Sequence, residues 1–354
     1  MNIAIVLPSW IGDVVMATPT LRALRNHFGS RVTITGIMRP YVSKVLAGTT
    51  WLDKTIYYDR RSRAPDLQAS RLIWRLREAK PDWMILMSNS FRSGAIAWLS
   101  GSGHRLGYVR YGRGMLLTDK IYPPRLGGKL IPVSAVDYYL DLAYYTGCPP
   151  QSRRLELAVS SQDAQSAAGI WHELGFDCTD RVVVLNTGGA FGSAKHWPKE
   201  YYIELAHRIV ADERNGVLVI CGPAERENAA IIEQRVKHPR VRSMARQNLD
   251  LGITKACIQR ASAMVTTDSG PRHIATALDV PVVSLFGPID PRWTETYHPR
   301  SINLFRSLAC APCGQRHCSL SHHRCMRDLS VDDVYQSLQR LIEDKNYRRI
   351  GVAA

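Results

Sequence analysis

The stretch Val265–Pro288, VTTDSGPRHIATALDVPVVSLFGP, decides the fold of the second half of the chain. It predicts a buried strand that ends at Thr267, a tight turn, a helix over about 271–278 and a second buried strand. Asp268 or Ser269 is expected to cap the helix with its side chain, and a proline suits the first turn. This order of elements is typical of a parallel α/β domain.

The start of that helix is also the first candidate ligand site. The N-terminus of a helix that follows a strand presents free backbone N–H groups and a partial positive charge, so it favours phosphate. Gly270 ends the tight turn that begins at Asp268, and His273 falls on the first helical turn, facing the same side. The segment therefore predicts a phosphorylated ligand without any Walker or GxGxxG motif.

Length and charge limit the classes of protein that fit. The chain has 354 residues, enough for two domains, and 45% of them are hydrophobic, as in ordinary globular proteins. Its net charge of +15 implies an acidic partner, namely nucleic acid, an anionic membrane surface or a phosphorylated substrate. The apolar start lacks the basic segment of a signal peptide, and 83–99 is too polar to span a bilayer. We therefore expect a cytoplasmic protein.

Short apolar strands alternate with amphipathic helices through both halves of the chain, which predicts two parallel α/β domains, 1–150 and 151–330. A terminal helix is predicted near 331–344, and the stretch 108–133 is predicted to be a loop. Helices are expected at 12–28, 42–47, 67–79, 94–99, 135–146, 162–174, 199–211, 226–237, 251–260 and 271–278. Strands are expected at 3–7, 32–37, 54–57, 83–87, 105–108, 181–185, 216–220, 264–267 and 282–285.

Four further residues at three places in the chain could carry chemistry, and each place has a structural alternative. Asp13 falls at the start of the first helix, where a carboxylate is either a general base or a partner of the helix dipole. Thr187 and Lys195 flank a glycine-rich loop that suits an anion, although such a lysine is often only solvated. Glu225 follows a strand at a place where Rossmann-like domains often bind a ribose, or it simply begins the next helix.

The cysteines allow two interpretations. One CxxC pair opens a Cys/His-rich segment, but no second CxxC or HxxxH spacing follows, so reduced thiols are favoured over a structural metal site. The candidate ligands of that alternative are Cys310, Cys313, Cys318 and Cys325. The remaining cysteines, Cys148, Cys178, Cys221 and Cys257, are expected in the core.

Taken in order, three stretches resemble the ADP-heptose:lipopolysaccharide heptosyltransferases of glycosyltransferase family 9. They are IVLPSWIGDVVMATPTLRALR, NTGGAFGSAKHWPKEYY and TTDSGPRHIATALDVPVVSLFGP, and AFGxAKxWP is similar to the branch that adds the second heptose, heptosyltransferase II. The resemblance implies a GT-B fold, with an N-terminal acceptor-binding and a C-terminal nucleotide-sugar-binding Rossmann-like domain facing across a cleft. It also implies a terminal segment, 331–354, that crosses back to the first domain.

The resemblance also implies an inverting transfer from ADP-heptose to a lipid A–Kdo–heptose acceptor, with no metal or other cofactor. Asp13 matches the general base, and the remaining matches are donor-binding residues: Ser9, Thr187, Lys195, Glu225, Asp268, Ser269, Gly270 and His273. Lys195 is expected to take part in catalysis as well, because it would stabilise the leaving diphosphate. Pro271 and Arg272 replace the apolar or small pair of common members, so the donor contact is expected to differ there.

The acceptor implies peripheral contact with the cytoplasmic face of the inner membrane, and no nucleic acid is expected. The basic surplus that fits this contact is concentrated in the first half, and the alternative is a solvated basic face with no dedicated partner. The residues are Arg60, Arg61, Arg63, Arg105, Arg110, Arg113, Arg125 and Lys129. A nucleotide-sugar epimerase of the same fold and a basic nucleic-acid-binding protein are the alternatives. A dinucleotide oxidoreductase is disfavoured, because the first turn lacks GxGxxG.

Overall fold

A computed structural model of the chain describes residues 1–343. It divides into two compact units, Met1–Ala158 and a second unit that begins at Val159. The division falls in the extended segment after Pro150, close to the predicted boundary at 150/151. Each unit is a six-stranded parallel sheet flanked by helices, which confirms the predicted α/β class with two Rossmann-like domains.

The first unit has the strand order β3-β2-β1-β4-β5-β6. Its sheet strands are β1 (Asn2–Val6), β2 (Thr33–Met38), β3 (Lys54–Tyr57), β4 (Trp83–Leu86), β5 (His104–Tyr108) and β6 (Asp119–Ile121), and β7 (Arg125–Leu126) and β8 (Lys129–Leu130) form a separate hairpin. Its helices are α1 (Ile11–Met16), α2 (Thr18–Phe28), α3 (Pro40–Leu46), α4 (Ala69–Ala79), α5 (Phe91–Leu99) and α6 (Ala135–Tyr145). One hydrophobic cluster packs α4 and α5 against the same face of this sheet.

The second unit repeats that topology with the order β11-β10-β9-β12-β13-β14. Its strands are β9 (Arg181–Asn186), β10 (Asn215–Ile220), β11 (Val241–Ser243), β12 (Ala263–Thr267), β13 (Val282–Phe286) and β14 (Ser301–Phe305). Its helices are α7 (Ser161–Glu173), α8 (Lys199–Val210), α9 (Arg226–Val236), α10 (Leu251–Arg260), α11 (Gly270–Ala277), α12 (Arg324–Arg327) and α13 (Val331–Glu343). The central strands are buried on both faces, which explains the continuous apolar runs VVVL in β9 and AMV in β12.

The predicted terminal helix packs within the second unit, because α13 lies against α8, β12 and β13. Residues 344–354 lie outside the described part of the chain, so the return of the chain to the first domain stays a prediction. Within residues 1–343, no helix is long and apolar enough to cross a bilayer.

Some expectations were wrong. The helix predicted over 12–28 is two helices, because Pro19 has no N–H to donate to the carbonyl of Val15, which accepts the hydroxyl of Thr18 instead at 2.7 Å. The predicted loop 108–133 contains β6 and the β7–β8 hairpin, and the edge strands β11 and β14 were missed. Cys178, expected in the core, is exposed.

Candidate functional site

The predicted donor residues of the second unit come together at one edge of its sheet. Three neighbouring parallel strands, β10, β9 and β12, end there at Ile220, Asn186 and Thr267. Because carboxyl ends of parallel strands share an edge, the loops that follow them lie side by side. These loops carry Thr187 to Lys195, Glu225, and Asp268 to Gly270.

Asn186 holds two of these loops together. Its amide nitrogen, with two N–H groups, lies within hydrogen-bond distance of three oxygens: the Gly188 carbonyl at 3.1 Å, Thr266 Oγ1 at 2.9 Å and Ser269 Oγ at 2.9 Å. The Thr267 hydroxyl adds a bond to the same Gly188 carbonyl at 3.2 Å. Sequence reasoning did not assign Asn186 a role, although a polar residue that ends the apolar run RVVVL was a usable signal.

The third loop is packed against the first through Glu225. A Cβ added to Gly188 would lie 2.1 Å from the Glu225 carboxyl carbon, so a side chain at residue 188 would collide with this carboxyl group. The Glu225 carboxylate also accepts a bond from the Gly222 N–H at 2.6 Å. Both sequence interpretations of Glu225 fit this position, because its side chain closes the turn 222–225 directly before α9 and also stands beside the glycine-rich loop.

A buried ion-pair network lies at the centre of the site. Lys195 Nζ donates to the Asp268 carboxylate at 2.6 Å and to the Asp268 carbonyl at 2.7 Å, and it lies 4.7 Å from the ring centre of Phe191. The Arg272 guanidinium lies 3.5 Å from the other carboxylate oxygen. The side chains of Asp268 and Arg272 are 5% and 0% exposed, so one carboxylate serves two buried cations.

This position of Arg272 changes the expectation drawn from the unusual Pro271-Arg272 pair. Arg272 is turned into the unit, where it donates to Ser284 Oγ at 3.0 Å and to the Thr294 carbonyl at 2.8 Å. Its guanidinium also lies 4.8 Å from the ring centre of Phe286. Arg272 therefore acts on the site through Asp268 and has no exposed surface with which to touch a donor.

Charges in the network set the protonation of its members. Burial alone would raise the pKa of Asp268, but the Lys195 and Arg272 cations lower it below its usual value, so Asp268 is a carboxylate. Burial, followed by the nearby Arg272, lowers the pKa of His273 to about 3. His273 is therefore a neutral imidazole at pH 7, suited to a hydrogen bond and not to charge pairing.

Two side-chain atoms at this site have no hydrogen-bond partner among residues 1–343. They are Thr187 Oγ1 and His273 Nδ1, and both residues are more than nine-tenths buried. Buried polar atoms are almost always hydrogen-bonded, and an unpaired one costs about 1–3 kcal/mol. Such atoms beside the start of α11 indicate a place where a ligand completes the bonding.

The start of α11 differs in one detail from the prediction. Ser269 is the N-cap residue, but neither its side chain nor that of Asp268 caps the helix. Ser269 Oγ donates to the Thr267 carbonyl at 3.2 Å, and the Asp268 carboxylate is taken up by Lys195 and Arg272. The first backbone N–H groups of α11 are thus not satisfied by these side chains, which suits an anion.

The Cys/His-rich segment supports the glycine-rich loop from outside. The Ala194 N–H donates to the Arg316 carbonyl at 3.0 Å, and His323 Nε2 lies 2.8 Å from the Ala194 carbonyl. Ser193 Oγ lies 2.9 Å from His317 Nδ1. Gly192 has φ 148° and an added Cβ would lie 2.4 Å from the Arg316 carbonyl, so the approach requires glycine there.

The thiols of that segment are free. Cys325 is buried, and burial together with the neighbouring thiols of Cys313, Cys318 and Cys310 raises its pKa. Cys310 Sγ lies 3.9 Å from His322 Nε2. Within the described residues 1–343, no three His, Cys, Asp or Glu side chains are arranged to hold a metal ion.

The first unit carries the other two predicted site residues. Asp13 lies half-buried in the first turn of α1, and Ser9 is exposed in the turn before it, where its carbonyl accepts the Tyr41 hydroxyl. Burial, and then the Asp13 carboxylate, raises the pKa of Tyr139 on α6, so these two side chains are neighbours. Asp13 thus stands at the carboxyl edge of the first sheet, as predicted.

Arg113, assigned to the basic surface from sequence, is instead fully buried at the same edge. Its guanidinium donates to the Tyr108 carbonyl at 3.0 Å, Ser93 Oγ at 2.9 Å, Asn89 Oδ1 at 2.9 Å and the Ser88 carbonyl. These acceptors are uncharged, and burial lowers the pKa of Arg113 to about 10. Arg113 therefore fixes the loop after β4 and contributes no surface charge.

Comparisons with known proteins agree with this architecture. Lipooligosaccharide heptosyltransferase 2 of Campylobacter jejuni is 26% identical over 345 residues, 96% of this chain and 99% of that protein. Lipopolysaccharide heptosyltransferase 2 of Escherichia coli K12 is 26% identical over 360 residues, covering 97% and 99% of the two chains. The structure of E. coli ADP-heptose lps heptosyltransferase II matches with a TM-score of 0.80 and 23% identity over 98% of this chain and all of that one.

These relatives confirm the resemblance, including its heptosyltransferase II branch. The family model described as glycosyltransferase family 9 (heptosyltransferase) matches residues 69–323, which include both the loop after β9 and the start of α11. The chain is therefore a glycosyltransferase, and it belongs to family 9, the heptosyltransferases.

Proposed function

We propose that the protein transfers heptose from ADP-heptose to the inner core of lipopolysaccharide, with a lipid A–Kdo–heptose chain as acceptor. The observation that carries this proposal is the buried Lys195–Asp268 pair beside the unpartnered atoms of Thr187 and His273 at the start of α11. This is a site for an anionic, hydrogen-bonding ligand. The name of the E. coli relative, ADP-heptose lps heptosyltransferase II, supplies the donor and acceptor class.

The donor is assigned to the second unit. The Lys195 ammonium has three donors and gives two of them to Asp268, so one remains for a phosphate oxygen. Thr187 Oγ1 and the backbone N–H groups of Ser269 and Gly270 supply further bonds to the diphosphate. Neutral His273 bonds the nucleotide sugar, and Glu225 accepts from the ribose hydroxyls. Ser9 contacts the donor from the first unit.

The reaction follows from the chemistry of these groups. Asp13 removes the proton from a heptose hydroxyl of the acceptor while that oxygen attacks the anomeric carbon of the donor. The new C–O bond forms as the bond to the ADP oxygen breaks on the opposite side, so the anomeric configuration inverts. Negative charge that develops on ADP is stabilised by Lys195, Thr187 and the start of α11. We propose that this positive charge suffices without a metal or another cofactor.

The direct experiment is mass spectrometry of the glycolipid product. ADP-heptose and a truncated acceptor that ends in one heptose should give a product one heptose heavier, with an equal amount of ADP released. ADP release without the acceptor would instead indicate an epimerase-type reaction, and no product at all would refute the proposal. EDTA should leave the rate unchanged; a rate that EDTA abolishes and a divalent cation restores would contradict metal independence.

Lys195→Met tests the donor assignment separately. The variant should bind ADP about tenfold more weakly or worse, because a charge-assisted bond to phosphate contributes about 1.5–3 kcal/mol. Lys199→Met is the matched control, since Lys199 is an exposed lysine at the start of α8. An unchanged ADP affinity in Lys195→Met would argue against the phosphate role.

A further inference from the structure

Large exposed hydrophobic side chains are concentrated in the first unit. Of the sixteen such side chains among residues 1–343, fourteen lie in the first unit and two, Tyr297 and Leu320, in the second. Single exposed hydrophobic residues are normal on any protein surface. Their unequal distribution between two units of the same topology is not explained by that rule.

Several of them share one surface, formed by the outer sides of α4 and α5. Trp74, Phe91 and Trp98 are 48%, 53% and 57% exposed, and Phe91 and Trp98 are seven residues apart, so they share a side of α5. The two helices lie side by side, because Arg77 on α4 donates to the Leu99 carbonyl on α5 at 2.9 Å. We call this surface the aromatic–basic face; it consists of Arg71, Trp74, Phe91, Arg92, Trp98 and Leu99.

The face is positively charged as well as aromatic. From residue 66 to residue 99 the chain has five Lys and Arg residues and three acidic residues, of which Asp66 lies 3.7 Å from Arg71 Nε. Arg71 lies over the ring of Trp74, 4.2 Å from its centre, so cation and ring are presented together. This combination suits a partner that is anionic at its surface and apolar below it.

The second unit provides an internal comparison. The helices α10 and α11 occupy the same topological positions as α4 and α5, before and after the strand next to the first strand of each sheet. Among the described residues of α10 and α11, no large hydrophobic side chain is exposed. The fold therefore does not require exposed aromatic residues on α4 and α5, and their exposure points to a role in binding.

We propose that the aromatic–basic face binds the surface of an anionic lipid bilayer. Trp and Phe rings would enter the headgroup region, and the Arg side chains would contact lipid phosphates. The inference rests on the proposed function, because a glycolipid acceptor lies in such a bilayer. This inference places the membrane contact on α4 and α5. One of the basic residues that the sequence had associated with the membrane, Arg113, is buried and cannot contribute to such a contact.

The test is sedimentation of the full chain with vesicles of phosphatidylcholine alone or with phosphatidylglycerol. The wild type should bind the anionic vesicles, and Trp74→Ser/Trp98→Ser should bind them on the order of tenfold more weakly. Arg71→Gln/Arg92→Gln should also weaken binding, whereas Arg235→Gln/Lys237→Gln, which removes equal charge from exposed positions on the second unit, should not. Equal binding by wild type and both face variants would overturn the proposal.

A second readout separates this inference from the proposed function. The tryptophan variant should transfer heptose to a water-soluble truncated acceptor at the wild-type rate, but more slowly to acceptor embedded in vesicles. If the wild type transfers no heptose to either acceptor, the proposed function fails, and vesicle binding still decides the role of the face. A dimer that Trp98→Ser dissociates, or a nucleic acid that competes with vesicles for the face, would contradict lipid binding.

Discussion

Substitution of Asp268 by Asn tests the buried network on which the donor site is built. Asn is nearly isosteric with Asp, so the change removes charge while preserving shape. The wild-type carboxylate, 5% exposed, neutralises Lys195 at 2.6 Å and Arg272 at 3.5 Å. In the variant, two buried cations would lose their common counter-ion.

The size of the effect follows from that geometry. Removal of one partner from a buried ion pair costs about 3–5 kcal/mol, because an uncompensated charge stays buried. Asp268→Asn should reach this range, since both cations are affected. Lys195→Met should cost less, because Asp268 keeps Arg272 as its partner. The loss in free energy of unfolding is thus predicted to be larger for Asp268→Asn than for Lys195→Met.

Urea unfolding of the full chain measures these free energies. Asp328→Asn is the matched control, because its partner Arg324, at 3.0 Å, is 61% exposed, and loss of such a surface pair should cost less than about 1 kcal/mol. A cost below about 1 kcal/mol for Asp268→Asn, or a larger cost for Lys195→Met, would refute the reasoning. ADP titration of both variants should show weaker binding in each.

Two further predictions concern the neighbours of this network. Gly188→Ala should displace the Glu225 carboxyl group, because the added Cβ would collide with it. Calorimetry should then show ADP binding weakened by about 1 kcal/mol, the net value of one hydrogen bond. Adding Glu225→Ala to this variant should cause no further loss of ADP affinity, because the same contact is already broken. His273 keeps a pKa of about 3 when folded, so the unfolded chain takes up a proton as the pH falls below about 6.5 and the folded chain does not. The free energy of unfolding of the wild type should therefore fall as the pH decreases from 6 to 4. His273→Gln should reduce the slope of this free energy against pH by about 1.4 kcal/mol per pH unit, as measured by urea unfolding. Equal slopes in the wild type and the variant would contradict the assignment.

The sequence predicted the central strands and most helices because burial on both faces leaves a continuous apolar run, as in β9 and β12. It predicted the edge strands β6, β11 and β14 poorly. The strands β6 and β11 have only three residues each, and no residue of β14 is fully buried, so none of the three forms a long apolar run. The break between α1 and α2 at Ala17 had a visible signal in Pro19, which was read as part of one helix.

At the candidate site, the sequence identified the residue types near a ligand but not the bonds among them. Lys195 and Asp268 are 73 residues apart in the chain, and their pairing depends on the adjacency of β9 and β12. The sequence shows only the position of Arg272 in the motif, so the Pro271-Arg272 pair is expected to alter the donor contact. The burial of Arg272 depends on Ser284 and Thr294, which sequence spacing does not bring together.

The central claim is that Asp13 is the base of a heptosyl transfer whose donor is bound by the second unit. The most direct measurement is the turnover of Asp13→Asn with ADP-heptose and acceptor, made beside its affinity for ADP. Turnover should fall by at least about a hundredfold, the usual contribution of a general base, while ADP affinity stays at the wild-type value. Turnover near the wild-type rate in Asp13→Asn would contradict the claim.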